Sequence, residues 1–441
     1  MQDIRQAVAT RLDHQGAESP GPARLQVLVQ EEISAWVRRR AANGVPPVSV
    51  EFERRTARAV LAALSGLGVL DELLRRDDVE NIHIHGCDQV WLELADGSLE
   101  RWPYPVADTD AALTEMLAGI FARMGQTSRE FNPAHPLGNL RLAAGGPLGA
   151  RLAAVIEVAD RPRVAIRRHR LTGTTLDDLV ELGTVDAILR DFLTSAVHAG
   201  VNMIVSGGPG DGKTTLLRAL AERIPVREHV VTVEDEYELG LHLGGRRPLV
   251  TALEARLANA EGHGAVTLDD LLKQVLRHSP SRVLVGEVRG GEVTAMLRAL
   301  GNGAAGGMCT LHATSATAVF DRIAALGHLA SPPLAIDATH HWTAAAIDLV
   351  VHVTRVDHVA ASGRTSRERF VTEILEVGDI GDAGRPDTTR VFAPRPADGR
   401  AVPAFLPSDR LLARLRRHGF DRAVFDRPDG AWHTTPIRRE A

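Results

Sequence analysis

Lysine is almost missing from this chain: of its 51 basic residues only Lys213 and Lys273 are lysines. Positive charge is otherwise written as arginine, the mark of G- and C-rich coding, so a surviving lysine asks for a specific reason. Cysteine is as scarce. Cys87 and Cys309 alone exclude a disulfide framework and fit a reducing compartment. Aromatic residues make up 4%, too few for the stacking platforms on which single-strand nucleic-acid binders rely. A net charge of −5 and a pI near 6.4 provide no global basic field for nucleic acid or anionic lipid. The run Arg38-Arg39-Arg40 reads as a solvated helix face. No apolar run approaches the ~20 residues that span a bilayer, and the polar opening from Met1 to Gly21 lacks the form of a signal peptide. The expected location is cytoplasmic, with any membrane link made through a partner.

What is present is enough apolar residue, 44%, for buried cores. The stretch "ARLQVLVQEEISAWVRRRAANG" has helical spacing and Gly44 as its stop, and "TARAVLAALSGLG" predicts a second helix. From about 70 to 170 the texture is α+β: "NIHIHG" and "QVWLELADGSLERW" alternate like strands around the turn Asp96-Gly97. A helix "DAALTEMLAGIFARMG" follows, then a hairpin "NLRLAAGGPLGARLAAVIE", and "DRPRVAIRRHRLTG" closes the domain as a connector. From about 175 to 355 strands and helices alternate in order, which predicts a parallel sheet covered on both faces. Thr267 and Asp270 are spaced as a capping box. In the tail, "RFVTEILEV" reads as a strand and "PSDRLLARLRRHG" as a helix capped by Ser408 and ended by Gly419.

The chemistry starts at "GGPGDGKTTLLRAL". Gly207, Gly212, Lys213 and Thr214 satisfy G-x-x-x-x-G-K-[ST] between an apolar strand and a helix, the context the motif requires. Gly207, Gly208, Pro209, Gly210, Asp211 and Gly212 form a loop whose backbone N–H groups can curl around phosphates. The helix that begins at Lys213, Thr214 and Thr215 adds its partial positive charge. Lys213, one of the two lysines, supplies a compact cation to the β- and γ-phosphates, and the Thr214 hydroxyl is placed to ligate Mg²⁺. The implied ligands are a nucleotide and Mg²⁺. Downstream, "VVTVEDEYEL" ends a strand on Glu234 and Asp235, and "RVLVGEVRGGE" ends another on Glu287. Carboxylates at such strand ends can hold metal or orient water. "GGMCTLHATSA" puts His312 at the end of a further strand, with Cys309 facing the core.

Taken in order, these four elements resemble the secretion ATPases of type II and type IV machinery, and within them the branch that drives Tad/Flp pilus assembly. The resemblance covers roughly residues 60 to 355 and includes "LGVLDELLRRDDVENIHIHGCDQVWLE" and "ARLANAEGHGAVTLDDLLKQVLRHSPSRVLVGEVRGGE". It implies an α/β fold: a RecA-like P-loop domain, its parallel sheet flanked by helices on both faces. A smaller α+β, PAS-like N-terminal domain and a helical N-terminal extension precede it. The expected boundaries are 1–55 for the extension, 56–165 for the N-terminal domain, 166–175 for a linker, 176–355 for the ATPase domain and 356–441 for a C-terminal appendage. The resemblance further implies a homo-hexamer acting on integral membrane platform proteins at the inner face of the plasma membrane, with nucleic acid not expected among its partners. By residue, it makes Glu234 the Asp-box glutamate, Glu287 the Walker B glutamate and metal ligand beside Thr214, and His312 the histidine that senses nucleotide. Arg141 and Arg151, in "NLRL" and "GARL", match arginines that reach the phosphates from the N-terminal domain.

The chain departs from the family where Pro209 and Asp211 stand in place of Thr and Ser, and where Ala304 replaces a histidine. "REFNPAHPLGNLRL" also lacks the usual acidic, serine-rich approach, which weakens the match of Arg141 more than that of Arg151. Two other readings remain open: a conjugation-type or DNA-translocating hexameric motor, and a nucleotide-binding regulatory or structural subunit with little turnover, which Asp211 and Ala304 favour.

Overall fold

A computed structural model describes residues 7, 10–11, 22–46, 48–49, 52–53, 56–57, 60, 67–124, 130–142, 144–146, 148–168, 173–243, 245–259, 261–301, 305–359 and 365–432. They fall into two units, Met1–Arg170 and Leu171–Ala441. Most of the polar opening, most of the second expected helix and Ala304 lie outside the described residues.

In the first unit, helix α1 (Pro22–Ala42) has its own small apolar nucleus of Leu28, Val29 and Ile33 with Val60. Next come α2 (Val69–Leu74), β1 (Val79–His85), β2 (Gln89–Leu94), β3 (Leu99–Trp102), α3 (Asp110–Met124), β4 (Leu137–Leu142), β5 (Ala150–Val155) and β6 (Arg163–Arg168). The six strands form one antiparallel sheet in the order β3-β2-β1-β6-β5-β4. Strict alternation explains it: Leu152, Ala154, Val164 and Ile166 are buried with Leu113, Leu117, Ile120 and Phe121 of α3, while Arg151, Arg163 and Arg167 are turned to the other face. The stretch expected to act as a connector is therefore in part a strand. β6 lies between β1 and β5 and runs to Arg168, past the start expected for the linker at 166. Its inward Val164 and Ile166 are what hold it there.

The second unit begins with α4 (Leu176–Glu181), capped by Thr175 and Asp178, and α5 (Ala187–His198). It continues with β7 (Met203–Gly207), α6 (Lys213–Ala221), β8 (Val230–Glu234), β9 (Val250–Glu254), α7 (Leu268–Val275), β10 (Arg282–Val288), α8 (Val293–Gly301) and β11 (Met308–His312). Then follow α9 (Ala318–His328), α10 (Ile336–Ala346), β12 (Leu349–Val359), β13 (Thr365–Ile380), β14 (Pro386–Pro394), β15 (Ala401–Pro403) and α11 (Asp409–Arg416). Thr267 and Asp270 form the capping box of α7, and Ser408 caps α11. The nine strands run β15-β14-β13-β12-β7-β11-β10-β8-β9. From β12 to β9 every pairing is parallel. Every residue of β7 and β8 is buried, as expected of strands covered on both faces.

Two features correct the expectation of a parallel sheet. The tail adds β13, β14 and β15 antiparallel, so the sheet is mixed, and the division drawn at 355 runs through β12. β9 was not foreseen, because a half-buried edge strand lacks the continuous apolar run that marks its neighbours.

Candidate nucleotide site at the strand ends

Strands β7, β11, β10 and β8 are consecutive in the sheet and parallel, so their carboxyl ends share one edge. Ligands gather at such an edge. There the sequence places Gly207, His312, Glu287 and Glu234, one motif per strand.

The loop after β7 is held closely by the neighbouring strand. A Cβ on Gly207 would lie 2.4 Å from the Val353 carbonyl oxygen of β12, so only glycine permits this approach. Gly208, Pro209, Gly210 and Asp211 carry the turn to Gly212, and α6 starts at Lys213. Asp211 Oδ2 accepts a 2.6 Å hydrogen bond from Gly208 N, so the acid unusual for the family serves the loop's own turn. Behind the loop, Ser206 Oγ and His352 Nδ1 are 2.9 Å apart and buried, and burial lowers the His352 pKa.

Lys213 is buried. Its Nζ donates to the Gly208 carbonyl at 2.7 Å and lies 3.1 Å from His312 Nδ1. An ammonium offers donors only, so Nδ1 accepts, leaving Nε2 to carry the proton facing Glu287 Oε1. Glu287 Oε2 accepts from Arg289 Nε at 2.7 Å and from Arg289 Nη2, and Arg289 Nη1 is 3.6 Å from Asp235. Burial works against ionisation of Glu287, yet His312 and Arg289 together hold its pKa down at about 2. One chain of polar contacts thus runs from the phosphate loop through His312 and Glu287 to the acidic end of β8.

Glu234 and Thr214 meet through an intermediary. Thr214 Oγ1 donates to Glu238 Oε2 at 3.3 Å, while Glu238 N and Leu239 N each donate to Glu234 Oε2 at 2.7 Å. Glu234 is 1% exposed, and burial raises its pKa to about 7 against the pull of those two amides. The carboxylate beside Thr214 therefore belongs to Glu238, which the sequence reading passed over. Thr215 follows on α6. Among the described residues no cluster of three or more His, Cys, Asp or Glu could hold a metal by itself. Thr214 and Glu238 nonetheless offer hard oxygen donors, a set that fits Mg²⁺ completed by substrate phosphates and water.

In the first unit Arg141 and Arg151 stand directly opposite each other on β4 and β5, and Arg151 stands opposite Arg167 on β6. Three arginines in register line the sheet face turned away from α3. Arg167 is hard to read in the sequence, because the arginines of "VAIRRHR" give a strand the look of a connector. Cys309 is buried, with its thiol pushed up to about 12, and has no reactive character.

Parallel strands within a mixed α/β sheet, with a glycine-rich loop, a buried lysine at a helix start and acids on adjoining strand ends, make the arrangement of a nucleotide-binding site. The family described as "Type II/IV secretion system protein" matches residues 69–379, and the chain belongs to it. The chain is an ATPase, as members of this family are. It is 34% identical over 302 residues, 68% of this chain and 83% of the relative, to a protein of Mycobacterium tuberculosis (strain CDC 1551 / Oshkosh) named provisionally for conjugal transfer. It is 32% identical over 337 residues, 69% of this chain and 92% of the relative, to the type IV secretion system protein PtlH of Bordetella pertussis. Among solved structures it is similar to the VirB11 ATPase of the Brucella suis type IV secretion system in complex with sulphate. There the identity is 23%, the coverage 70% of this chain and 96% of that one, and the TM-score 0.35.

Proposed function

We propose that the chain is the motor of a conjugation-type or type IV secretion machine: a RecA-like hexameric ATPase that works at the cytoplasmic face of a membrane platform. The observation that carries this is the convergence of four separate motifs on neighbouring parallel strand ends, joined by the Lys213–His312–Glu287–Arg289 contacts. Among the described residues no helix is long and apolar enough to cross a membrane; in this reading the membrane platform is a separate partner.

In this reading the loop amides and Lys213 hold the β- and γ-phosphates, and phosphate draws Lys213 from His312. His312 thereby registers whether nucleotide is present. Glu287, ionised and within reach of solvent, is better placed than Glu234 to orient the attacking water. Glu234 braces the turn that presents Glu238 to Thr214. Thr214 and Glu238 would hold Mg²⁺, which would supply charge neutralisation at the β- and γ-phosphates. By the family resemblance, Arg141 and Arg151 are the arginines expected to neutralise charge developing on the phosphoryl group.

The names of the relatives favour conjugal transfer and type IV secretion. The motif order read in the sequence supports a second version of the same motor, the Tad/Flp pilus-assembly branch. ATP turnover measured with and without DNA, alongside light scattering with a non-hydrolysable ATP analogue, tests the reading. A motor acting on proteins shows six-fold mass and turnover indifferent to DNA. Strong DNA stimulation would replace it with a DNA-translocating motor, and a protein that binds ATP without releasing phosphate would make it a regulatory subunit.

A further inference from the structure

The phosphate loop has a second wall that no motif announces. Strand β7 lies between β11 and β12 in the sheet. On the β11 side stand His312, Glu287 and the Lys213 ammonium, the groups suited to the reacting phosphate. On the β12 side the antiparallel pair β12–β13 rises against the outer curve of the loop. Arg369 Nε donates to the Gly210 carbonyl at 2.8 Å. A Cβ on Gly210 would fall 2.7 Å from Arg355 Nη1, and one on Gly212 would fall 3.3 Å from Arg369 Cδ. Gly210 occupies a position the loop motif leaves free, and here Arg355 takes up the space a side chain would need.

Arg355 and Arg369 are directly opposite each other in the ladder, and Arg367 lies two residues from Arg369. Like charges directly opposite on paired strands oppose pairing. Asp357 faces this group, 3.6 Å from Arg355 and 2.9 Å from Arg367. Among the described residues Asp357 is the carboxylate this group faces, and Arg355 and Arg369 stand against the outer curve of the loop at Gly210 and Gly212. A nucleotide with its terminal phosphate at Lys213 and His312, extended past the end of β7 toward β12, would bring its α-phosphate and ribose to this side of the loop.

We propose that Arg355, backed by Arg369, is a nucleotide-binding residue that contacts the α-phosphate–ribose segment, on the side of the loop away from the hydrolytic groups. Arg369 braces the loop through Gly210, and Arg355 extends the cationic surface past it. The C-terminal strands thus belong to the nucleotide site as well as to the sheet. The proposal rests on the loop's holding phosphates, which wild-type binding of pyrophosphate reads separately.

The test is calorimetric titration of the full chain with Mg-ADP and with Mg-pyrophosphate, in wild type, Arg355→Ala and Arg355→Lys, with thermal midpoints taken in parallel. Pyrophosphate occupies the loop beside Lys213 and Thr214 but carries no α-phosphate–ribose segment. Arg355 is about one-third exposed, so its replacement is compatible with folding. The expected result is an ADP affinity lowered about tenfold or more in Arg355→Ala, as for loss of one charge-assisted contact. Pyrophosphate affinity should stay within about twofold of wild type, and Arg355→Lys should recover part of the ADP affinity. An equal loss for both ligands would make Arg355 a brace for the loop only and overturn the proposal. Unchanged ADP affinity would overturn it as well.

Discussion

The two sheets of this protein solve the problem of assembling a site in opposite ways. In the nine-stranded sheet the strands from β12 to β9 are parallel, so their carboxyl ends reach one edge and residues 99 positions apart, Lys213 and His312, meet there. The six-stranded sheet is antiparallel, so its strand ends alternate between two edges and cannot collect side chains in that way. What it can do is line up residues across a face: Arg141, Arg151 and Arg167 stand in register on three neighbouring strands. One sheet gathers side chains at its strand ends, the other lines up a row of cations from strand middles. The difference follows from strand direction alone, and the function proposed above would divide labour along it, with hydrolytic groups in the second unit and, as the family resemblance implies, charge-neutralising arginines in the first.

That division can be broken at several points. Lys213→Ala should reduce ATP turnover below detection while the far-UV circular dichroism stays that of the wild type. Near-normal turnover in a cleanly folded variant would remove Lys213 from the chemistry. Glu287→Gln keeps its shape but loses the charge held by His312 and Arg289. ATP should still bind and hydrolysis should fall by ~10²-fold or more, whereas parallel losses of binding and turnover would mark Glu287 as structural.

The smallest effect concerns Glu234 and is read as stability. Below pH 4.5, its ordinary pKa, the carboxyl is protonated in the folded and unfolded chain alike. Between there and about 7 the unfolded chain ionises while the buried group keeps its proton, so stability falls as pH rises through that window. Glu234→Gln should abolish this slope and be the more stable protein at pH 8, by on the order of 1–3 kcal/mol in urea unfolding. A variant less stable than wild type at pH 8 would show that the ionised carboxylate is supported by more than the two amides seen here.

The motifs of the second unit were legible because each buried parallel strand is a continuous apolar run that stops abruptly at a functional residue. Gly207, Glu234, Glu287 and His312 all sit at such breaks. The side chains gathered around these breaks were harder to read for the same physical reason. Glu238 belongs to the turn after β8, and its place beside Thr214 depends on Glu234 Oε2 gathering two backbone amides, a fold-dependent contact. Arg289 is two residues beyond Glu287 and closes back on it. Arg355 and Arg369 reach the loop through an antiparallel pair whose register no local pattern sets. In the first unit the alternation of β6 was present in "RVAIRR", but its arginines made the segment look like a solvated connector.

The division of labour itself is tested most directly by one measurement: steady-state ATP turnover of Arg151→Ala and Arg151→Lys, with ADP affinity and thermal stability recorded on the same preparations. The expected result is a loss on the order of 10³ in turnover for Arg151→Ala, as when an arginine supplied to a developing phosphoryl charge is removed. Arg151→Lys should recover little, because a point charge cannot reproduce the planar fork, and ADP affinity and stability should stay close to wild type. Retention of more than about half of wild-type turnover by Arg151→Ala would contradict the account and return the arginine row to the solvated face of a sheet.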